Sequence, residues 1–134
     1  MSKTRLIVEY DYDFCLIGIA CHEKDYRLCW TLNTLLQINL SKKDDHLSAN
    51  SSHSLFHYNQ EQLFREYYLV SNRGTSGMLV EEHRQVDYFF VARGDIGTEE
   101  QKHFLDQFKS IEMVSAAYPM DENLLKSKHN LIFE

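Results

Sequence analysis

Hydrophobic and polar positions alternate from the start of the chain. Leu6, Val8, Tyr10, Tyr12, Phe14 and Leu16 fall on one side, and Arg5, Glu9, Asp11 and Asp13 on the other. A period of two predicts a half-buried strand, or a pair of short ones. Leu16-Ile17-Gly18-Ile19-Ala20 reads as its buried end, where Gly18 marks a bulge or a close backbone approach. The period then changes. Leu28, Leu32, Leu35 and Leu36 make one stripe and predict a helix from about Lys24 to Gln37, with Cys29 and Trp30 widening the covered side. The polar run 39–52 predicts a loop or a short edge strand. Ser54–Tyr58 and Phe64–Val70 predict antiparallel neighbours joined by Asn59-Gln60-Glu61-Gln62. Asn72–Gly77 reads as a turn, and Met78–Val80 as a short strand. Val86–Val91 is almost continuously apolar, which places it centrally in a sheet. Thr98 and Gln101 have the spacing of a capping box, followed by the helical stripe Phe104, Leu105, Phe108 and Ile111. Val114, Ala116 and Tyr118 alternate in a last strand that ends at Pro119. The closing Leu131-Ile132-Phe133 is apolar, so the tail 121–134 is expected to dock.

This order predicts an α+β fold: one domain over residues 1–134, a mainly antiparallel sheet, and two helices on one face in a ferredoxin-like, split arrangement. The region 87–118 resembles the second half of an ACT-type regulatory domain, a likeness of fold that transfers no site.

Composition narrows the function. The chain has 134 residues, of which 43% are hydrophobic, so it can build a core without staples. Lys and Arg number 14 against 20 Asp and Glu, a net charge of -6. An acidic balance argues against general nucleic-acid binding and against docking on an anionic membrane. No leader or spanning segment is expected, because the longest apolar stretch is Cys15–Cys21. Three clustered cysteines, Cys15, Cys21 and Cys29, point to free thiols in a reducing cytoplasm.

Several groups could carry chemistry. Glu9, Asp11 and Asp13 share a strand face and could hold a hard cation, but a solvated face explains them better. Cys21, His22 and Cys29 match no zinc spacing, so neither a metal nor a cofactor is expected. Cys21 with His22, at the mouth of the first helix, is the candidate catalytic pair, because a helix N-terminus lowers a thiol pKa. His53 and His57 lie too far apart along a strand to share an ion, about 13 Å, and read as sheet-edge residues. Asn72, Gly74 and Gly77 belong to a turn whose N–H groups could cradle an anion. Asp87 sits inside an apolar strand and needs a donor, with Arg84 or Arg93 in reach. Either Glu82, Asp87 and Tyr88 face a ligand, or Asp87 clamps its own turn. Tyr26, Arg27 and Trp30 combine aromatics with Arg, the make-up of an interaction hot spot.

Val80-Glu81-Glu82-His83-Arg84-Gln85-Val86-Asp87-Tyr88 resembles the signature of the bacterial IPExxxVDY family. Glu82, Val86, Asp87 and Tyr88 match its letters, and Glu81 replaces its proline. Tyr26–Trp30, Ser71–Gly74 and Leu125–Phe133 also resemble that family, so the likeness covers nearly the whole chain. The family has no assigned activity, and the resemblance implies a bacterial cytoplasmic protein. The expectation is a non-catalytic binding or regulatory module, a homodimer joined through a sheet edge or a helix face, with a protein or a small metabolite as partner. A thiol enzyme or redox switch at Cys21 is the alternative, and RNA binding through sheet aromatics is the third reading.

Overall fold

The computed structural model of this chain describes residues 14–120. Six strands and two helices follow in the order β1 (Phe14–Cys21), α1 (Asp25–Leu36), β2 (Ser41–Ser48), β3 (Ser51–Gln60), β4 (Arg65–Ser71), β5 (Tyr88–Arg93), α2 (Thr98–Lys109) and β6 (Val114–Met120). The strands form one antiparallel sheet in the order β2-β3-β4-β5-β1-β6. The inner part, β6-β1-β5-β4, has the strand order of a ferredoxin-like unit. The β2–β3 hairpin, inserted after α1, widens it. The α+β class read from the sequence is therefore the observed one. The expected roles of residues 5–13 and of the tail 121–134 lie outside the described residues.

Strands β1, β4 and β5 are buried on both faces. On one face Ile17, Ile19, Leu69 and Phe90 meet Leu28 and Leu32 of α1 and Phe104 and Phe108 of α2. Phe90 sits 4.9 Å from Phe108 and 5.5 Å from Phe104, both edge to face. Aromatic pairs prefer that geometry, because the positive ring edge meets the negative face. On the other face Leu16, Leu55, Val70, Phe89 and Val91 lie under Leu79, Val80 and Val86. Those three belong to the connection between β4 and β5, residues 72–87, a flap laid across the sheet.

Some local expectations change. Met78–Val80 is part of the flap, and its one ladder contact is a bridge between Met78 and Arg73. The run 39–52 holds a full edge strand, β2, whose Lys42-Lys43-Asp44-Asp45 core is exposed. Thr98 and Gln101 form no capping box. Gly97 is the N-cap, Thr98 is already helical, and no side chain caps the end. Trp30 is 69% exposed, so α1 is covered on one side and not around it. Gly18 is a close approach: a Cβ there would stand 2.7 Å from Met120 Cε and 2.9 Å from Val86. The bulge of β1 lies beyond it, between Ala20 and Cys21. Pro119 sits within β6 rather than after it, opposite Ile17. An edge strand can take a proline because one side of its backbone needs no ladder bond.

Candidate functional site

The flap begins at Asn72, which is fully buried. Its backbone N–H donates to the Asp87 carbonyl at 2.8 Å, and its own carbonyl accepts from Leu79 at 2.7 Å. Its side-chain Oδ1 accepts from Val80 N–H at 2.7 Å. Its Nδ2 donates to the carbonyls of Val86 at 2.8 Å and His83 at 3.1 Å. One amide thus satisfies backbone groups at three points along the flap, where an unpaired group would cost about 1–3 kcal/mol. The amide is spent inside the chain and offers nothing to a ligand.

Asp87 closes the flap. Its Oδ2 accepts the Cys21 N–H at 2.8 Å, and its Oδ1 accepts from Arg73 Nε at 2.9 Å. Its backbone N–H donates to the Ile19 carbonyl. The donor is Arg73, not the Arg84 or Arg93 expected from the sequence. Arg84 contributes only its carbonyl, to Arg73 Nη2 at 3.2 Å. Arg73 reaches Asp87 because the flap folds back on itself, which spacing along the chain does not show. Asp87 therefore joins the end of β1 to both ends of the flap. Tyr88 is buried, and its hydroxyl donates to the Glu23 carbonyl at 2.7 Å, which fixes the turn into α1. Burial raises its pKa, and the carboxylates of Asp25 and Asp87 push the same way.

Cys21 sits beside this network but joins it through its backbone. Its side chain is 2% exposed. Burial pushes the thiol pKa up; the hydrogen bond from the Glu23 backbone opposes this, and the charges of Asp87 and Glu23 add to it. That is opposite to the lowered pKa expected at a helix mouth. Cys29 is driven up further, to about 11, first by burial and then by Asp25. His22 is exposed. A nucleophile needs an accessible thiolate, and neither buried thiol supplies one. Among the described residues no three His, Cys, Asp or Glu side chains converge to hold a metal.

The remaining ligand-site residues divide. Glu82 and Gly77 line an open groove of about 640 Å³ together with Ser51, Ser76 and Asn50. Gly74 turns the other way and packs on β3. A Cβ at 74 would clash with Ser51 Oγ and stand 2.5 Å from His53 Cε1. His53 is thereby only 1% exposed, not the sheet-edge residue expected, because the flap lies over it. The sheet aromatics Tyr67, Tyr68, Tyr88, Phe89 and Phe90 are all buried, so they present no platform on which bases could stack.

Tyr26, Arg27 and Trp30 all lie on the outer side of α1. Tyr26 is 59% exposed, one turn from Trp30. Arg27 is 3.6 Å from Glu23, and both line a groove of about 540 Å³ with Leu35, Ile111 and Met113. Sequence reasoning missed one ion pair that fixes a neighbouring end of the fold. Arg65 grips both oxygens of Glu100 at 2.5 and 2.8 Å and also reaches the Asp95 carbonyl, tying β4 to the start of α2. Glu100 falls in the first turn of a helix, where a carboxylate is expected, but nothing in the spacing names Arg65 as its partner.

No described helix is long and apolar enough to cross a membrane. A scan of family models finds none that matches this chain, and a search of curated proteins returns no match.

Proposed function

We propose that this protein is a non-catalytic binding module of the cytoplasm, that its likeness to the IPExxxVDY family reflects kinship, and that it assembles through the outer side of α1. The observation that carries this reading is the exposure of Tyr26 and Trp30, 59% and 69%, one turn apart beside the groove lined by Arg27. Large aromatics and Arg supply most of the binding energy at protein interfaces. The competing chemistry is tied up: Asn72 and Asp87 are spent holding the flap, and the Cys21 thiol is buried with a raised pKa. The partner is a second copy of the chain or another protein, because both grooves are open rather than enclosing. A sheet-edge dimer through β2 would have to bring Lys42, Lys43, Asp44 and Asp45 against a partner strand, which favours the helix side.

Native mass spectrometry tests the reading directly. The wild type should appear as a dimer or as a complex with a second protein. Trp30→Ala should shift it to the monomer, with unfolding stability changed by no more than about 0.5 kcal/mol, as for an exposed site. An assembly that is unchanged in Trp30→Ala and Tyr26→Ala overturns the proposal. A small added mass on the purified protein would instead favour a metabolite and return attention to Glu82 and Gly77.

A further inference from the structure

The flap meets the β2–β3 hairpin through backbone and hydroxyl contacts. Thr75 N–H donates to the Ser52 carbonyl, Ser52 N–H to Thr75 Oγ1, and Ser76 N–H to Ser51 Oγ, all at 3.0–3.1 Å. Beneath them lies His53. Its Nδ1 is 2.9 Å from the Ser71 carbonyl. A carbonyl only accepts, so Nδ1 carries the proton of the neutral ring and Nε2 presents a bare lone pair. Nε2 is buried and has no hydrogen-bond partner among the described residues. Gly74 of the flap covers it, with room for no side chain: a Cβ at 74 would stand 2.7 Å from Nε2.

We propose that His53 is an acid-triggered release for the flap: the closed flap accepts only the neutral ring, and protonation of His53 lifts residues 73–80 from the sheet. A second proton would place an N–H on Nε2, facing the Gly74 backbone with nothing to accept it, and would leave a charge in an enclosed site. The surrounding groups do not rescue it. From β2, His46 stands opposite His53 in the ladder, and its charge opposes a second one. Asp45, also on β2, favours the proton but already holds Lys42 at 2.9 Å. From β4 comes the Ser71 carbonyl, which is taken. From the flap come Gly74 and, next to it, Arg73, whose guanidinium is bound to Asp87. Burial accordingly pushes the His53 pKa below the ordinary histidine range, the Ser71 hydrogen bond opposing this in part.

The sign follows from linkage. The open form binds the proton more readily than the closed form, so closure is complete above the ordinary histidine pKa of about 6.5. Below it, opening grows by up to about tenfold per pH unit until the depressed pKa of the closed form is reached. Acid therefore uncovers Leu16, Val70, Phe89 and Val91, an apolar face closed at neutral pH.

Amide hydrogen exchange of the full chain, corrected for intrinsic rates, tests this between pH 7.5 and 5.0. The reporters are Thr75, Leu79 and Val80, whose N–H groups bond to Ser52, Asn72 and Asn72. Phe90 and Val91 of β5 are the reference. The flap amides should open about tenfold more per pH unit below about 6.5, with the reference unchanged. A flat flap profile overturns the proposal, and so does a rise shared equally by β5, which would be global unfolding. His53→Gln keeps a donor for Ser71 and cannot gain a proton, so it should flatten the profile; a profile that stays steep in this variant also overturns the proposal. If the variant does not fold, an NMR titration of wild-type His53 decides: a pKa at or above that of exposed His22 overturns it, and a lower one sustains it.

Discussion

On one face of the sheet, α1 and α2 press Leu28, Leu32, Phe104 and Phe108 against Ile17, Ile19 and Phe90. On the other, the flap presses Leu79, Val80 and Val86 against Leu16, Val70 and Phe89. Both faces bury apolar side chains, but by different means. The helices satisfy most of their own backbone groups, so side-chain packing largely sets their positions, with Arg65 and Tyr88 pinning the ends. The flap has little regular structure, only a short 3-10 turn at Glu81–His83, and its backbone groups must find partners elsewhere. Asn72 provides several of them, the β2–β3 hairpin takes Thr75 and Ser76, and Asp87 ties the ends of the flap to β1. A polar pair thus does for one face what periodicity does for the other.

Three substitutions separate the two kinds of burial. The largest effect should come from the helix face. Phe90→Ala removes the ring that touches both Phe104 and Phe108, and should cost about 3–5 kcal/mol in urea unfolding. A loss below about 1 kcal/mol would mean that this face is loosely packed and the contrast is false. Asn72→Ala should come next, at about 2–3 kcal/mol, since it strands Val80 N–H and the carbonyls it served. Its signature is local: limited proteolysis should cut within residues 73–87 while β5 stays protected. Cleavage spread evenly over the chain would show that the flap and the helix face are one cooperative unit. The smallest effect belongs to Arg73→Ala. Arg73 is 59% exposed and pairs with a carboxylate that keeps its bond to Cys21, so the loss should stay under about 1 kcal/mol by thermal melting.

The same contrast explains what the sequence could disclose. Leu28 and Leu32, and Phe104 and Phe108, announce the helices because a period near 3.6 survives in the letters. The continuous run at Val86–Val91 announces a central strand for the same reason. The flap follows no period. Met78–Val80 looks like a strand since its residues are apolar, yet Leu79 and Val80 are held over the sheet by hydrogen bonds to Asn72 rather than by a ladder. Asp87 is recognisable as a residue in need of a donor, and the donor is not, because Arg73 reaches it only through the fold. His53 looks like an edge residue until the flap covers it. Exposed aromatics are harder still: Trp30 shares α1 with Leu28 and Leu32, and its outward side is decided by where β1 and α2 already are.

Strand β1 is the earliest described element of the chain, yet its two neighbours in the sheet are the last two strands, β5 and β6. During synthesis the β2–β3–β4 meander can pair as it emerges, each strand beside its predecessor. Leu16, Ile17 and Ile19 have to wait. Their ladder partners include Val91 and Phe90 on one side and Pro119 and Ala117 on the other, roughly a hundred residues downstream at the far edge. A chain made at about 5–20 residues per second leaves that apolar strand without its second neighbour for about 5–20 seconds. Nascent chains shortened before Val114 are expected to carry a β1 with one flank open, and to depend on holdase chaperones in a way the finished protein does not.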